Sequence, residues 1–378
     1  MPGGPIEILP VSGAKMLERF IRVPMRLNAA DPAWISPLLY ERREALSKKN
    51  PYFEHADVQF WLAVRDGRDV GRISAQIDHL AREEPDLPTG HFGMIAAEDD
   101  PEVFAALFAA AEAWLKARGK VRVQGPFNLS INEETGLLVE GYEHPPFVMM
   151  PHDEPYTKAR IEALGYVKAK DMHAWLTGVP EWKPAIRRRL DKPLPPGVAM
   201  RAADMKRFGA EVDSLVDIYN DAWSENWNSV PITPAEARFL KESLGLLIKK
   251  DGIVFVDIDG EPAGFGVLIP DLNDLIKDLG GRLLPFGWAR LLWRLKIGPI
   301  HRGRVPLMGV KKKFARDPRG AAAPFLIMDA MLKQGVRYGI EQCECGWILE
   351  DNRPMRHILE NLGAVPYKTY RVYERMIG

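Results

Sequence analysis

Two stretches of the chain hold side chains whose types and spacing suit chemistry. The first lies in the last quarter. A strand-like run, Gln342–Leu349, carries Glu344 and is followed by Glu350, and the helix-patterned run beyond carries His357. A carboxylate or imidazole so placed can accept a proton, and an apolar surround that raises a carboxylate's pKa suits the task. Upstream, Phe314 and Arg316-Asp317-Pro318-Arg319-Gly320-Ala321-Ala322-Ala323 form a basic, small-residue turn before a helix-patterned run to Tyr338. A helix N-terminus offers unpaired N–H groups and partial positive charge to an anion. Pro324, within the same turn, lacks an N–H. The second stretch, Gly125–Tyr142, mixes apolar residues with Asn128, Ser130, Asn132, Glu133 and Glu134. It reads equally as a functional loop or as a lid whose polar groups satisfy local turns.

Other chemistries find little support. There is no Gly-x-x-x-x-Gly-Lys-Ser/Thr loop and no dense acidic cluster, so nucleotide hydrolysis and a metal centre are not expected. Cys343 and Cys345 stand two apart on one strand, too constrained for a mutual disulfide and too few for a zinc site. They read as buried thiols of a reducing cytosol. Formal net charge is +0, which gives no global attraction to nucleic acid. The opening residues have no signal-peptide pattern, and no apolar run is long enough to span a bilayer.

At 378 residues, two domains are expected. The first half reads as strand, helix, hairpin (Val58–Val64, Asp66-Gly67, Val70–Ile77), strand, helix, strand, helix, strand. Residues 179–197 are proline-rich linker, with Arg187-Arg188-Arg189 as a solvated basic run. The second half repeats the order: strand, the helix Phe208–Trp223, a helix capped by Thr233 and Glu236, the hairpin around Asp259-Gly260, then the last quarter. A final strand, Tyr367–Arg375, closes it. Gly363 should end the last helix in the left-handed region. The first half has no phosphate loop, because Glu98-Asp99-Asp100 stands where an anion would bind.

Residues 271–304 interrupt the second half. They carry Phe286, Trp288 and Trp293 among many leucines, with Arg282, Arg290, Arg294, Lys296, Arg302 and Arg304. An apolar, Trp-bearing face beside basic residues suits a helix lying on an anionic membrane, or packing on the domain or a dimer partner.

The last quarter resembles the cofactor half of the GNAT acyltransferase superfamily, through Arg319-Gly320-Ala321 and the block from Trp347 to Gly363. Taken whole, the chain resembles a bacterial family of double-GNAT-like proteins that includes the bacterial ceramide synthases. The residues carrying this are Asn50–His55, Val70–Ile73, Gly125–Asn128, Asn132–Glu134, Tyr219, Asn220, Trp223, Asn226 and Trp227. The resemblance implies an α/β (α+β) fold of two tandem GNAT-like domains, each a mixed, mostly antiparallel sheet flanked by helices. They span 1–178 (degenerate) and 198–378 (acyltransferase). It implies transfer of a long-chain acyl group from coenzyme A to the amine of a sphingoid base, with no permanently bound cofactor. Acyl-CoA would bind Phe314, Arg316, Arg319, Gly320, Ala321, Ala322, Ala323 and Asn352. Substrate would meet Asn128, Asn132, Glu134, Tyr219, Trp223 and Trp227. Glu350, Glu344 or His357 would take the amine proton. Leu359 stands where such enzymes place a tyrosine acid. A cytoplasmic protein touching the inner membrane through Phe286, Trp288 and Trp293 is expected. Acylation of another small amine, or acyl-CoA binding without catalysis, fits the same residues.

Overall fold

A computed structural model of the chain describes residues 4–178, 181–244 and 251–378. Two compact units emerge. One is Met1–Met172 with Ile276–Pro285 and Lys368–Gly378, and the other is His173–Leu275 with Phe286–Tyr367.

The first unit runs β1 (Glu7–Pro10), α1 (Gly13–Leu27), α2 (Leu39–Ala45), β2 (Ala56–Arg65), β3 (Arg68–Asp78), β4 (Thr89–Ala97), α3 (Pro101–Lys116) and β5 (Arg122–Gly125). The short strands β6 (Phe127–Asn128), β7 (Glu134–Thr135) and β8 (Leu137–Glu140), then α4 (Tyr156–Ala163), follow, and β9 (Val167–Thr177) belongs to this unit up to Met172 and to the second from His173. Strands β1 to β4 pair antiparallel in order and β5 joins parallel to β4. The β2–β3 hairpin turns on Asp66 and Gly67, both at positive φ, as its tight right-twisted geometry requires. Helix α3 starts where Asp100 accepts the Glu102 N–H at 2.8 Å and Pro101 needs no partner. It packs Phe104, Leu107, Phe108 and Leu115 against Ile73, Phe92 and Val123. The acidic turn before it is consumed locally: Glu98 binds Arg26 and Arg68, Asp99 binds Arg160, and Asp100 binds Arg65.

The second unit contains α5 (Pro184–Leu190), β10 (Val198–Ala202), α6 (Phe208–Trp223), α7 (Pro234–Leu244), β11 (Ile253–Ile258), β12 (Glu261–Pro270), α8 (Leu272–Ile276), α9 (Gly287–Lys296), β13 (Arg302–Val310), α10 (Pro318–Arg337), β14 (Gln342–Leu349) and α11 (Arg353–Leu362). Its sheet order is β14-β13-β12-β11-β10, parallel only between β13 and β14. The plan of the first unit recurs. Asp259 and Gly260 turn the hairpin at positive φ, and a helix crosses over to the parallel strand. Both units also bulge in the fourth strand: Met94 and Ile95 of β4 face Ile73 of β3, and Val305 and Pro306 of β13 face Leu268 of β12.

Three expectations are revised. The boundary is not all linker: residues 179–180 lie outside the described residues, but Pro184–Leu190 is helical, and Arg187 binds Asp329 on α10. Arg302 and Arg304 belong to β13, not to a basic surface, and Arg304 is drawn inside by Glu344. The last strand, β15 (Val365–Met376), sends residues 369–376 to pair with β8 and β5 of the first unit. Hydrogen bonds from Thr369 to Glu140 and from Arg371 to Asp171 tie it there. Sequence proximity had assigned it to the second half, but strand partners are chosen by packing.

Thr233 and Glu236 bind one another's backbone N–H, at 3.2 and 2.8 Å, and so start α7. Thr233→Ala should therefore cost about 1 kcal/mol in chemical denaturation, and Thr233→Ser much less. Equal losses in the two variants would mean the hydroxyl cap is not what holds this end.

Candidate active site

In the second unit the parallel β13–β14 ladder runs from Arg302–Gln342 to Val305–Cys345 and stops there, although the strands continue to Val310 and Leu349. Past that point their facing backbone groups are not paired with each other. An amide-bearing ligand can bond to such an opening as a further strand would. Arg304 sits at the fork. Its side chain forms an ion pair with Glu344 at 2.9 Å and donates to the Gly346 carbonyl at 2.9 Å. Tyr367 donates to the other Glu344 oxygen. Arg304 is 3% exposed and Glu344 0%, so this pair is interior.

The other residues expected to move a proton sit differently. Glu350 is half-buried just past β14, and its carbonyl accepts from Arg356 at 2.9 Å. His357 is on the exposed side of α11 and meets Asn361 at 3.0 Å. Asn352 caps α11, accepting the Met355 N–H at 3.1 Å, and Gly363 ends that helix at φ 84°. Cys343 and Cys345 are buried and unbridged, and their mutual contact and burial hold the Cys343 thiol well above its ordinary pKa. Such a thiol is a poor nucleophile.

The basic turn is largely engaged with acids. Asp317 caps α10 by accepting the Arg319 N–H at 2.8 Å, and the Arg319 guanidinium grips both Asp317 and Asp259. Lys311 binds Asp217 and Glu261, Lys312 binds Glu225, and Lys313 binds Glu261. Arg316 is exposed and has no ion pair among the described residues. A Cβ on Gly320 would stand 2.1 Å from the Phe314 carbonyl oxygen, so the glycine lets the turn close on the helix. Ala321 and Ala322 remain accessible, while Ala323 packs inside. Nearby, Tyr219 stacks on Trp223 at 4.9 Å and Trp223 meets Trp347 edge-on at 6.3 Å, forming an aromatic wall. Trp227 is half-buried beyond the end of α6.

The first unit holds a second polar constellation, built by the segment after β5. Arg42 of α2 pairs with Glu134 of β7 at 2.9 Å, and Asn128 of β6 donates to the other Glu134 oxygen at 3.0 Å. The Asn128 oxygen accepts the Met94 N–H at 2.7 Å, so the backbone donor of the β4 bulge is already occupied. Gly93 beside it lets β6 approach, since a Cβ would lie 1.8 Å from the Phe127 oxygen. Burial opposes charge on Glu134, but Arg42 and Asn128 outweigh it and hold its pKa below the usual range. Arg72 donates to the Phe20 carbonyl at 3.0 Å; burial and the neighbouring Arg42 lower its pKa to about 9. Asp153 accepts the Leu138 N–H at 2.9 Å, and burial followed by the Glu134 charge pushes its pKa up to about 7. Asn132, Glu134, Asp153, Arg42 and Arg72 are only half-buried. Arg42, Arg72, Glu134 and Asp153 thus form a polar cluster at positions that solvent still reaches.

Within the insertion, α9 has no buried residue. Phe286 is 78%, Trp288 50% and Trp293 54% exposed, and Ile297 is exposed as well. Arg294 fixes the opposite side by donating to the Leu275 carbonyl at 2.6 Å, while Arg290 and Lys296 are exposed.

Comparison with known proteins settles the family. The chain is 52% identical over 375 residues to the bacterial ceramide synthase of Caulobacter vibrioides (strain NA1000 / CB15N), covering 98% of both. It belongs to that family. It is also 46% identical over 363 residues to protein YghO of Escherichia coli (strain K12), covering 96% of this chain and 93% of that one. No family model matches. Among solved structures, a tandem GNAT protein from the clavulanic acid biosynthesis pathway covers 99% of each chain with TM-score 0.58 at 13% identity. A GCN5-related N-acetyltransferase from Sphaerobacter thermophilus gives TM-score 0.51 at 12% identity, covering 98% and 96%. These likenesses establish the tandem GNAT fold.

Sequence reasoning had singled out Asn128, Asn132 and Glu134 of this ceramide-synthase family member but missed Arg42, Arg72 and Asp153. No local pattern marks those three, because they arrive from α2, β3 and the segment before α4 and meet only in the fold. In the second unit it had named Glu344 without its partner Arg304. Breaking a buried pair strands a charge. Glu344→Gln should therefore cost about 3–5 kcal/mol in denaturant titrations, and replacing Arg304 with Met and Glu344 with Leu together should cost far less. A double variant as unstable as the single one would refute that account.

Proposed function

We propose that the chain is an N-acyltransferase that joins a long-chain acyl group from acyl-CoA to the amine of a sphingoid base. The observation that carries this is the 52% identity, over 98% of both chains, to a bacterial ceramide synthase. The tandem GNAT fold agrees with it. Aminolysis of a thioester needs an uncharged amine, a polarised carbonyl and somewhere for one proton to go. The open fork beyond Val305–Cys345 supports donor binding in the second unit, because backbone groups there can bond the amides of the coenzyme A arm. Arg316 and the start of α10 lie at one end of this region. For phosphates to bind Arg319–Ala323 and Asn352, Arg319 would exchange its carboxylate partners for phosphate, a charge-assisted bond of the same kind. The wall of Tyr219, Trp223 and Trp347, with Trp227, suits an aliphatic chain.

Membrane contact is part of the proposal. A sphingoid base has little polar surface, and an enzyme drawing it from a bilayer needs an apolar foothold. Helix α9 supplies one with Phe286, Trp288, Trp293 and Ile297, flanked by Arg290 and Lys296 for anionic headgroups. Among the described residues no helix is long and apolar enough to cross a membrane, so the contact would be peripheral.

The direct test incubates purified protein with long-chain acyl-CoA and sphinganine or its 3-keto form and weighs the product. A mass equal to base plus acyl group is expected. Acylation of only short amines, or none, would displace this reading. Trp288→Ser with Trp293→Ser should release the protein from anionic liposomes and depress activity on lipid-dispersed base more than on a soluble amine. Unchanged sedimentation with liposomes would remove the membrane from the proposal.

A further inference from the structure

The fork between β13 and β14 is bridged twice, once at its base and once farther out. At the base, the Arg304 guanidinium donates to the Gly346 carbonyl at 2.9 Å. The outer bridge is aromatic. The Trp223 indole N–H donates to the Met308 carbonyl on the β13 branch at 3.4 Å, and its ring meets Trp347 on the β14 branch at 6.3 Å. Met308 and Trp347 both lie beyond Val305–Cys345, where the ladder has ended. One side chain of α6 therefore spans the two branches. Its neighbours hold it there. Asp221 accepts the Lys312 N–H at 2.6 Å, and a Cβ on Gly309 would stand 3.3 Å from the Ala222 Cβ, so the last turn of α6 lies close on the end of β13. Tyr219, one turn back, is 3% exposed and stacks on the Trp223 ring at 4.9 Å. Rings packed in a row leave little room to tilt. Trp223 and Trp347 are nevertheless only half-buried, so part of each ring is open to a ligand.

We propose that Trp223, with Trp347 opposite it, selects the acyl group of the donor by length. The inference rests on the acyl-transfer reading above, in which the donor's arm occupies the fork. An arm bonded to the backbone of the two branches carries its thioester and acyl chain along the gap that Trp223 bridges. The chain then lies against both rings. Their centres are 6.3 Å apart, a span that a long alkyl chain covers and an acetyl group does not. Each methylene that such a surface removes from water strengthens binding by about fourfold. The two parts of the indole do different work. Its N–H aims the ring at the fork, and its apolar face distinguishes a long chain from a short one.

Donor competition tests this in the full-length protein. Hexadecanoyl-CoA and octanoyl-CoA, both below their micelle-forming concentrations, compete for acylation of sphinganine, and the product masses give the ratio of the two kcat/KM values. Wild type should favour the longer donor by about 100-fold or more, the equivalent of three or four covered methylenes. Trp223→Ala should cut that ratio about tenfold or more, and Trp347→Ala should cut it in the same direction. Trp223→Phe loses the N–H but keeps a ring, and should hold the ratio to within about threefold. A side chain that only packs the domain would slow both donors alike and leave the ratio where it was. A ratio that stays or rises in folded Trp223→Ala would therefore overturn the proposal. So would a wild type indifferent to chain length, or a loss of selectivity in Trp223→Phe as large as in Trp223→Ala. Should Trp223→Ala fail to fold, Trp347→Ala decides the matter by the same ratio. If wild type acylates sphinganine while any of these contrary results occurs, only this inference fails. If it acylates none from either donor, the acyl-transfer reading beneath it fails.

Discussion

The second unit depends on one buried ion pair at the point where two parallel strands part. Strands β13 and β14 are held as a ladder up to Val305–Cys345, and beyond it they run on without pairing. Arg304, one residue before that limit, spans to Glu344 and to the Gly346 carbonyl. A guanidinium can do this because its planar fork satisfies two acceptors in fixed directions. It thereby bonds a carbonyl that lies past the last paired residues. The bulge at Val305-Pro306 acts with it, since Pro306 cannot donate to a ladder and the extra residue turns the strand. Desolvating both charges is costly, so the pair holds only because each charge is met by the other and by further hydrogen bonds.

The first unit has the same bulge but treats it differently. There the Met94 N–H is capped by the Asn128 side chain, which is itself fixed by Glu134 and Arg42. The repeated architecture thus has an open strand fork in one unit and a polar side-chain cluster in the other. The cluster gathers two guanidinium groups and two carboxylates at half-buried positions. Because the medium there is less polarisable than water, each charge strongly affects its neighbours' protonation. Asp153 and Glu134 consequently diverge: the ion-paired one stays charged, and the unpaired one titrates near neutrality.

Helix α9 presents the reverse of ordinary amphipathic packing. Leu291, Leu295 and Arg294 turn towards the protein, while Phe286, Trp288, Leu292 and Trp293 face out. A helix in water gains by burying such side chains, at about 25 cal/mol per Å² of apolar surface. In this helix, anchored by Arg294, that surface is left exposed.

Much of this was legible in the amino-acid sequence. Hairpins announced themselves through Asp66-Gly67 and Asp259-Gly260, helix starts through Asp100-Pro101 and Thr233–Glu236, and the end of α11 through Gly363. All of these depend on backbone conformations that a few neighbouring residues dictate. The repeated order of elements followed from hydrophobic period and turn chemistry, and the tandem fold was what the resemblance implied. What depended on distant partners was not available from local pattern. Arg304 read as part of a basic surface until Glu344 was seen beside it. The last strand could be recognised as a strand, but its partners β5 and β8 could not be inferred. Arg319, Gly320 and Asp317 announced a basic turn, yet only the fold showed the arginine bound to Asp259 and the glycine closing on Phe314. Arg42, Arg72 and Asp153 lie far apart along the chain, and their joint chemistry exists only because α2, β3 and the segment before α4 converge. Local sequence determines how each element begins, turns and ends. Tertiary structure decides which charges come to lie beside one another, and so how each shifts its neighbours' protonation.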